Sequence, residues 1–251
     1  MKICYFTGTG NSLQVAKGIG GELLSIPQLM KQDNIAIASD AIGIVCPVYL
    51  GGLPLMVQEF LKTATIEADY LFSVLTCGNG GSFAQLQKIA DERGLDFAYC
   101  NIAIMADNFL PGFEMGQELE ALPQKHVEEQ IEAIRADVLA HKESRPSAAP
   151  PMDPAMAALH KKLLAKYLRR DGAKDYLVTD DCTACGICAS VCPADNITVA
   201  QDGPTFGERC EVCYACLHAC PQNALHLDNE KSAACFRNAT VTLQDLIAAN
   251  A

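Results

Sequence analysis

Tryptophan is absent from this 251-residue sequence, and aromatic residues make up only 6% of it. Positive charge is also scarce, since 19 lysines and arginines stand against 30 aspartates and glutamates, for a formal net charge of −11. The phosphate backbone of nucleic acids repels a chain of that charge, which argues against general DNA or RNA binding. Half of the residues are hydrophobic, a fraction too high for a mainly disordered chain.

An apolar leader and an uninterrupted membrane span are lacking as well. No apolar region with a small-residue cleavage site follows Met1, so we expect no secretion. Residues 41–57 are uncharged, but Pro47, Pro54 and the pair Gly51-Gly52 break any helix there. These features predict a protein of a reducing, cytoplasmic compartment without membrane insertion.

Cysteine, by contrast, is abundant and unevenly placed. Of the 13 cysteines, four lie in the first 173 residues and nine in the remaining 78. An odd number of cysteines in a chain that is not secreted disfavours a disulfide scaffold and favours metal ligation. Eight of the nine form two runs of identical spacing, C-x₂-C-x₂-C-x₃-C-P, which begin 28 positions apart at Cys182 and Cys210.

The doubled run resembles the two-cluster ferredoxins of bacteria, over about residues 175–230. That resemblance implies two 4Fe–4S clusters, each held by three cysteines of one run and the last cysteine of the other. One cluster would take Cys182, Cys185, Cys188 and Cys220, and the other would take Cys210, Cys213, Cys216 and Cys192. Paired structural zinc sites are the alternative, although zinc usually uses C-x₂-C units separated by a longer gap. Cys235 is interpreted as an ordinary thiol and His218 as a surface residue of a short helix.

Before the cysteine runs, short apolar segments alternate with helical patterns. The predicted strands cover residues 2–6, 41–47, 70–76 and 97–105. A long amphipathic helix is expected within 117–142, and a weak strand near 23–26 or 34–37. Strands that alternate with helices through short loops predict an α/β fold with a doubly wound parallel sheet.

Three loops follow predicted strands, where an open parallel sheet binds its ligands. They are Thr7-Gly8-Thr9-Gly10-Asn11-Ser12, Pro47-Val48-Tyr49-Leu50-Gly51 and Thr76-Cys77-Gly78-Asn79-Gly80. The first loop offers backbone N–H groups and hydroxyls at the start of a helix, which suits a phosphate group. It lacks the lysine of a nucleotide P-loop and the G-x-G-x-x-G pattern, so ATP and NAD fit poorly.

These loops resemble those of flavodoxins, and the resemblance covers about residues 1–142. The first is similar to the T-x-T-G-N-T/S phosphate loop, and Cys77-Gly78-Asn79 is similar to the Cys-Gly-Asp segment beside the flavin ring. The resemblance implies one FMN, bound non-covalently, with Tyr49 as the stacking residue. The sequence departs from the family at Leu13, where an acidic residue is usual, and in the third loop, where Phe83 is the nearest aromatic residue.

Together the two patterns resemble a flavodoxin–ferredoxin fusion. The predicted parts are a flavodoxin-like domain at 1–142, a proline-rich linker and basic helix at 143–173, a small α+β ferredoxin domain at 174–235 and an extension at 236–251. The positive charges of the basic helix are those of Lys161, Lys162, Lys166, Arg169 and Arg170. Such a run usually forms a solvated charged face. The alternative is that this helix docks on segment 174–251, which carries 4 basic and 10 acidic side chains.

Clusters and a flavin on one chain predict an electron-transfer protein that connects low-potential redox partners. The negative charge predicts a redox protein partner with a basic docking surface. One alternative is an FMN-dependent reductase of a small molecule, with segment 107–113 as the only available lid. Another is a cluster-bearing delivery module with a vestigial flavin site. No catalytic residue is identified, so whether the protein is an enzyme stays open.

Overall fold

A computed structural model of the chain describes residues 1–145, 161, 162, 164, 165, 167, 168, 170 and 172–250. These residues form two units. The first contains Met1–Thr7, Asn11–Met105 and the described residues from Pro123 to Arg145, and the second contains Gly8–Gly10, Ala106–Leu122 and the described residues from Lys161 onward. The units are therefore interleaved along the chain, whereas the sequence predicted one domain that ends at residue 142.

A five-stranded parallel sheet forms the centre of the first unit. Its strands are β1 (Lys2–Tyr5), β2 (Glu22–Ser25), β4 (Ala41–Pro47), β6 (Tyr70–Cys77) and β7 (Phe97–Ile104), in the spatial order β2-β1-β4-β6-β7. The central strands β4 and β6 are apolar and buried over nearly their whole length, as expected for parallel strands with both faces covered. The predicted parallel α/β sheet is confirmed.

The weak strand predicted at one of two places is found at both. Glu22–Ser25 pairs with β1 in the main sheet, whereas β3 (Ala36–Ala38) pairs with β5 (Thr65–Glu67) in a separate parallel pair. Each strand is only three or four residues long and partly exposed, which explains its weak pattern.

Helices connect the strands of the first unit. They are α1 (Asn11–Ile19), α2 (Ile26–Leu29), α3 (Leu55–Thr63), α4 (Ala84–Arg93) and, after the last strand, α6 (Val127–Leu139). The amphipathic helix predicted within 117–142 is found as α6, which buries Val127, Ile131, Ile134 and Val138. It is preceded by α5 (Met115–Ala121) and a 3₁₀ turn at Leu122–Lys125. Pro123 lacks an N–H group for a continuous helix, and His126 adopts a left-handed backbone with φ of 47°.

Short elements make up the second unit. Two antiparallel pairs join β8 (Tyr176–Val178) to β11 (Leu225–Leu227) and β9 (Ile197–Ala200) to β10 (Gly203–Phe206). The helices α7 (Ile187–Ser190), α8 (Ala215–His218) and α9 (Leu243–Asn250) follow one another in this part of the chain. Of the predicted basic helix, the described residues Lys161, Lys162 and Tyr167 are helical. Lys166, Arg169 and positions 146–160, which include the predicted linker and the start of the predicted helix, lie outside the described residues.

The core of the second unit draws on several separated stretches of chain. Leu110 and Met115 come from the segment after β7, Tyr214 and Leu217 from the second cysteine run, and Phe236 from the predicted C-terminal extension. The extension is thus an integral part of this unit. Within the described residues, no helix has the length and apolar character needed to cross a membrane.

Candidate functional site

The two cysteine runs share one local backbone. Left-handed residues recur at Ala184, Gly186 and Asp195 and, 28 positions later, at Val212, Tyr214 and Asn223, with φ between 48° and 81°. The last cysteine of each run also accepts the same backbone bond. The N–H of Asn196 donates to Cys192 Sγ at 3.4 Å, and that of Ala224 donates to Cys220 Sγ at 3.3 Å. The sequence repeat is therefore a structural repeat.

Four cysteines from both runs line one cavity. They are Cys182, Cys185, Cys188 and Cys220, three from the first run and the last from the second. Apolar residues such as Val199 and Leu225 complete the wall. Burial raises the pKa of the Cys188 thiol, and the proximity of the other three cysteines raises it further.

The remaining four cysteines form a second, more deeply buried group. Cys210, Cys213 and Cys216 are 9%, 7% and 7% exposed, and Cys192 is half-buried. Burial raises the pKa of Cys213 and Cys216 well above the usual range, and nearby Cys192 and Cys210 raise it further. Thiolates in such a place require a compensating positive charge, which bound metal supplies.

The shape of the first site bears on which metal fits. In the described part of the chain, no three His, Cys, Asp or Glu side chains are arranged to hold a metal ion. Cys182, Cys185, Cys188 and Cys220 instead surround a cavity. An iron–sulfur cluster occupies such a space, since its iron atoms lie between the thiolates. The residues present fit a cluster.

Side chains around the second group were not identifiable from spacing. Tyr176 is buried, and its hydroxyl lies 3.6 Å from Cys210 Sγ. Its ring packs edge-on against Phe206, with centroids 5.4 Å apart.

The fully buried Glu211 carboxylate lies 3.5 Å from Arg170 Nη2. Arg170 is the last residue of the predicted basic helix and lies in a turn, with φ of 56°.

His218 is buried, which corrects its interpretation as a surface residue. Its Nδ1 accepts the backbone N–H of Phe236 at 3.0 Å, so the proton of the neutral ring is on Nε2. Nε2 donates in turn to the carbonyl of Asn108 at 2.9 Å. Burial lowers the pKa of His218 to about 4, which keeps the ring neutral near pH 7.

The first-unit parts of the three predicted flavin loops lie together at the carboxyl ends of β1, β4 and β6. Ser12 Oγ and Thr76 Oγ1 are 2.8 Å apart, and both side chains are almost fully buried, as is Thr7. The N–H of Val48 donates to the carbonyl of Thr76 at 2.9 Å. A Cβ at Gly81 would lie 2.9 Å from Val48 Cγ2, so a larger residue would push the second and third loops apart.

The middle of the first loop, Gly8–Gly10, belongs to the second unit. The carbonyl of Thr9 accepts the N–H of Asn238 at 2.9 Å, and Thr9 Oγ1 accepts from Asn108 Nδ2 at 3.1 Å. Gly10 has φ of 106°, and a Cβ there would lie 2.9 Å from Asn238 Cβ. Glycine is required at this position by both conformation and close approach.

The second loop turns at Leu50 and Gly51, with φ of 49° and 77°. The half-buried Tyr49 meets Phe6 edge-on, with ring centroids 6.2 Å apart. In the third loop, Cys77 is half-buried, Gly78 is buried, and Asn79 and Gly80 are exposed.

Lys125 is a cation at the third loop that sequence reasoning missed. Its Nζ donates to the carbonyls of Gly78 at 3.3 Å and Met105 at 2.7 Å. Lys125 ends the 3₁₀ turn that precedes α6, and no motif indicated its position.

Comparison with known proteins bears on the cysteine runs. Residues 176–198 match the family model of the 4Fe-4S binding domain. The "Ferredoxin-like protein in nif region" of Trichormus variabilis and that of Trichormus azollae are each 39% identical over 49 residues, 19% of this chain and 42% of theirs. The "DNA-directed RNA polymerase subunit Rpo3" of Methanosarcina acetivorans is 31% identical over 78 residues, 28% of this chain and 29% of its own.

The matched regions thus span less than half the length of each of these relatives. The chain carries a ferredoxin-type 4Fe-4S binding domain at 176–198, and this part of the predicted resemblance is confirmed. Iron–sulfur electron transfer is the activity that this domain indicates.

Proposed function

We propose that the protein transfers electrons between low-potential redox proteins through two 4Fe–4S clusters and one FMN. The observation that carries the proposal is the cavity that Cys182, Cys185 and Cys188 share with Cys220. Three ligands from one run and the last from the other is the crossed ligation of two-cluster ferredoxins. By the same rule, Cys210, Cys213, Cys216 and Cys192 would hold the second cluster.

The sheet supports a flavodoxin-like fold for the first unit. Counted along the chain within this sheet, the order β2-β1-β4-β6-β7 reads 2-1-3-4-5, the order of flavodoxin-like folds. In such sheets the ligand binds where the strand order reverses, here between β1 and β4. FMN bound there would allow one-electron and two-electron steps to be exchanged.

Residues of the three loops at the carboxyl ends of β1, β4 and β6 are suited to FMN binding. The hydroxyls of Ser12 and Thr76 contact each other at the end of β6, where they can hold the first and third loops in register. The Lys125 ammonium beside the Gly78 carbonyl adds positive charge at the third loop, which favours an anionic ligand. Tyr49 is the proposed stacking residue of the second loop.

Substitution at Thr9 tests the flavin proposal. Thr9→Glu would place a carboxylate in a phosphate site and should abolish FMN binding, whereas Thr9→Ser keeps the hydroxyl and should retain it. Flavin fluorescence quenching, titrated with anaerobically purified protein, measures both affinities. Equal binding by the wild type and Thr9→Glu, or a preference for FAD over FMN, would contradict the assignment.

The packing of segment 107–113 favours an electron carrier over a small-molecule reductase. Leu110 is buried in the core of the second unit, and Phe109 and Phe113 pack against that core. A lid needs to move away from its site, and these contacts oppose such a movement. Turnover should therefore be faster with protein acceptors than with small-molecule acceptors, and the reverse result would favour the reductase.

The charge supports a basic partner. Besides the net charge of −11, the exposed Asp180 and Asp181 directly precede the first cysteine run. Their field is screened over about 10 Å at 0.1 M salt. Electron transfer to a protein acceptor should therefore slow between roughly 0.05 and 0.5 M salt. A rate that stays constant or rises would indicate apolar docking instead.

A further inference from the structure

A continuous hydrogen-bonded path runs from the second cysteine run to the predicted phosphate loop, entirely within the second unit. It begins at His218, which ends helix α8 between Cys216 and Cys220. His218 Nε2 is 2.9 Å from the carbonyl of Asn108, and Asn108 Nδ2 is 3.1 Å from Thr9 Oγ1. Asn108 alone thus separates the cluster-binding helix from Thr9 in this path.

Each link in this path has a defined direction. Because the N–H of Phe236 occupies His218 Nδ1, the ring proton lies on Nε2 and points at Asn108. The side-chain amide of Asn108 then donates to Thr9 Oγ1. A hydroxyl that accepts at one lone pair keeps its own O–H for donation, so Thr9 is prepared to donate to a phosphate oxygen.

A second contact from the same unit holds the backbone of this residue. The N–H of Asn238 donates to the carbonyl of Thr9, and Asn238 itself lies two residues after the Phe236 that binds His218. Both the side chain and the carbonyl of Thr9 are therefore anchored to segments that meet at His218.

Helix α8 has only four residues, which is too short to be stable by itself. Cys213 and Cys220 flank this helix, and metal binding fixes such ligands as part of folding. Loss of metal from the second group would release His218, and then Asn108 and the loop would lose their anchors.

We propose that Asn108 and His218 are positioning residues that couple metal loading of the second cysteine group to phosphate binding at Gly8–Gly10. This inference rests on the proposed function, because it takes FMN as the ligand of the loop. Coupling of this kind is reciprocal, so FMN should also protect the second cluster against loss.

The first test measures FMN affinity in the cluster-loaded protein. Asn108→Ala removes the bond to Thr9 but keeps the backbone carbonyl that His218 binds, so we expect about tenfold weaker FMN binding with unchanged iron content. Thr205→Ala is the matched control in the same unit, since it also removes one side-chain hydrogen bond, that to the carbonyl of Thr198. Its FMN affinity should equal that of the wild type.

The second test uses rescue at His218. His218→Leu removes the donor to Asn108 and should weaken FMN binding, whereas His218→Gln offers an amide N–H in place of Nε2 and should recover most of the affinity. His218→Leu can also lose iron that His218→Gln retains. In that case coupling requires the FMN affinity of His218→Leu to fall in step with its iron content. Removal of the clusters from the wild type with a chelator should weaken FMN binding by a similar factor.

The outcomes separate the two proposals. A wild-type protein that binds no FMN overturns both the flavin assignment and the coupling. A wild type that binds FMN, with equal affinity in Asn108→Ala, His218→Leu and the chelator-treated protein, overturns the coupling alone and leaves the proposed function intact.

Discussion

The two cysteine groups have the same spacing and the same left-handed backbone positions, yet they differ in exposure. In the first, Cys185 is exposed and Cys182 and Cys188 are half-buried, whereas the three leading cysteines of the second are buried. Spacing therefore determines the shape of the loop that presents the thiols. The side chains between and around the cysteines determine how far solvent reaches them.

One pair of equivalent positions illustrates how this difference arises. Gly186 occupies its left-handed position, at φ of 81°, without a steric cost. Its counterpart Tyr214 has φ of 56°, which costs a bulky residue about 1 kcal/mol. Its ring lies 6.0 Å from Phe109 and 6.3 Å from Tyr176, so burial of aromatic surface offsets the strain and shields the second group.

The largest effect is expected from replacing the last cysteine of either run. Cys192→Ser should remove the cluster held by the second run, and Cys220→Ser should remove the cluster held by the first, because each cysteine lies with the opposite triplet. Electron paramagnetic resonance of the reduced variants, with iron counts, identifies the cluster that remains. Loss of the neighbouring cluster in the same run would show that ligation is not crossed.

Much of this arrangement was predictable, and the reasons for the exceptions are physical. The apolar runs 41–47 and 70–76 match β4 and β6 closely, because buried parallel strands leave an uninterrupted hydrophobic pattern. The cysteine spacing indicated a 4Fe–4S domain because the chemistry of the cluster dictates it.

Contacts between distant segments were not predictable. Nothing in the sequence near Asn108 or Phe236 indicates that both bind His218, since these bonds depend on how the second unit packs. Tyr176 likewise precedes the cysteines without any motif. The spacing of Val127, Ile131, Ile134 and Val138 predicted α6, whereas the start of this helix at Val127 was not predicted.

An intermediate effect is expected when the loaded protein is exposed to an oxidant or chelator. The first cluster should be lost several times faster than the second, because Cys185 is exposed whereas Cys213 and Cys216 are buried. Time-resolved absorbance with spectra of the surviving cluster measures the two rates. Equal rates, or faster loss of the second cluster, would mean that thiol burial does not control access.

The smallest effect is expected from Tyr176→Phe. The variant removes the hydroxyl that lies 3.6 Å from Cys210 Sγ, and hydrogen bonds to sulfur favour the reduced cluster. A loss on the order of 1 kcal/mol would lower the reduction potential of the second cluster by roughly 40 mV and leave the first unchanged.

Redox titration of the two clusters checks this shift. Tyr70→Phe is the matched control, since its hydroxyl binds the carbonyl of Lys142 in the first unit and should affect neither potential. If Tyr176→Phe shifted both potentials, or only that of the first cluster, the Tyr176 hydroxyl would not act on the second cluster through Cys210.

We propose that both cysteine groups hold a 4Fe–4S cluster, although they differ in exposure. Iron and acid-labile sulfide per chain, determined on protein purified without oxygen, test it most directly. Two clusters predict about eight of each. About four of each would mean that only one group binds a cluster, and zinc in place of iron and sulfide would contradict the account.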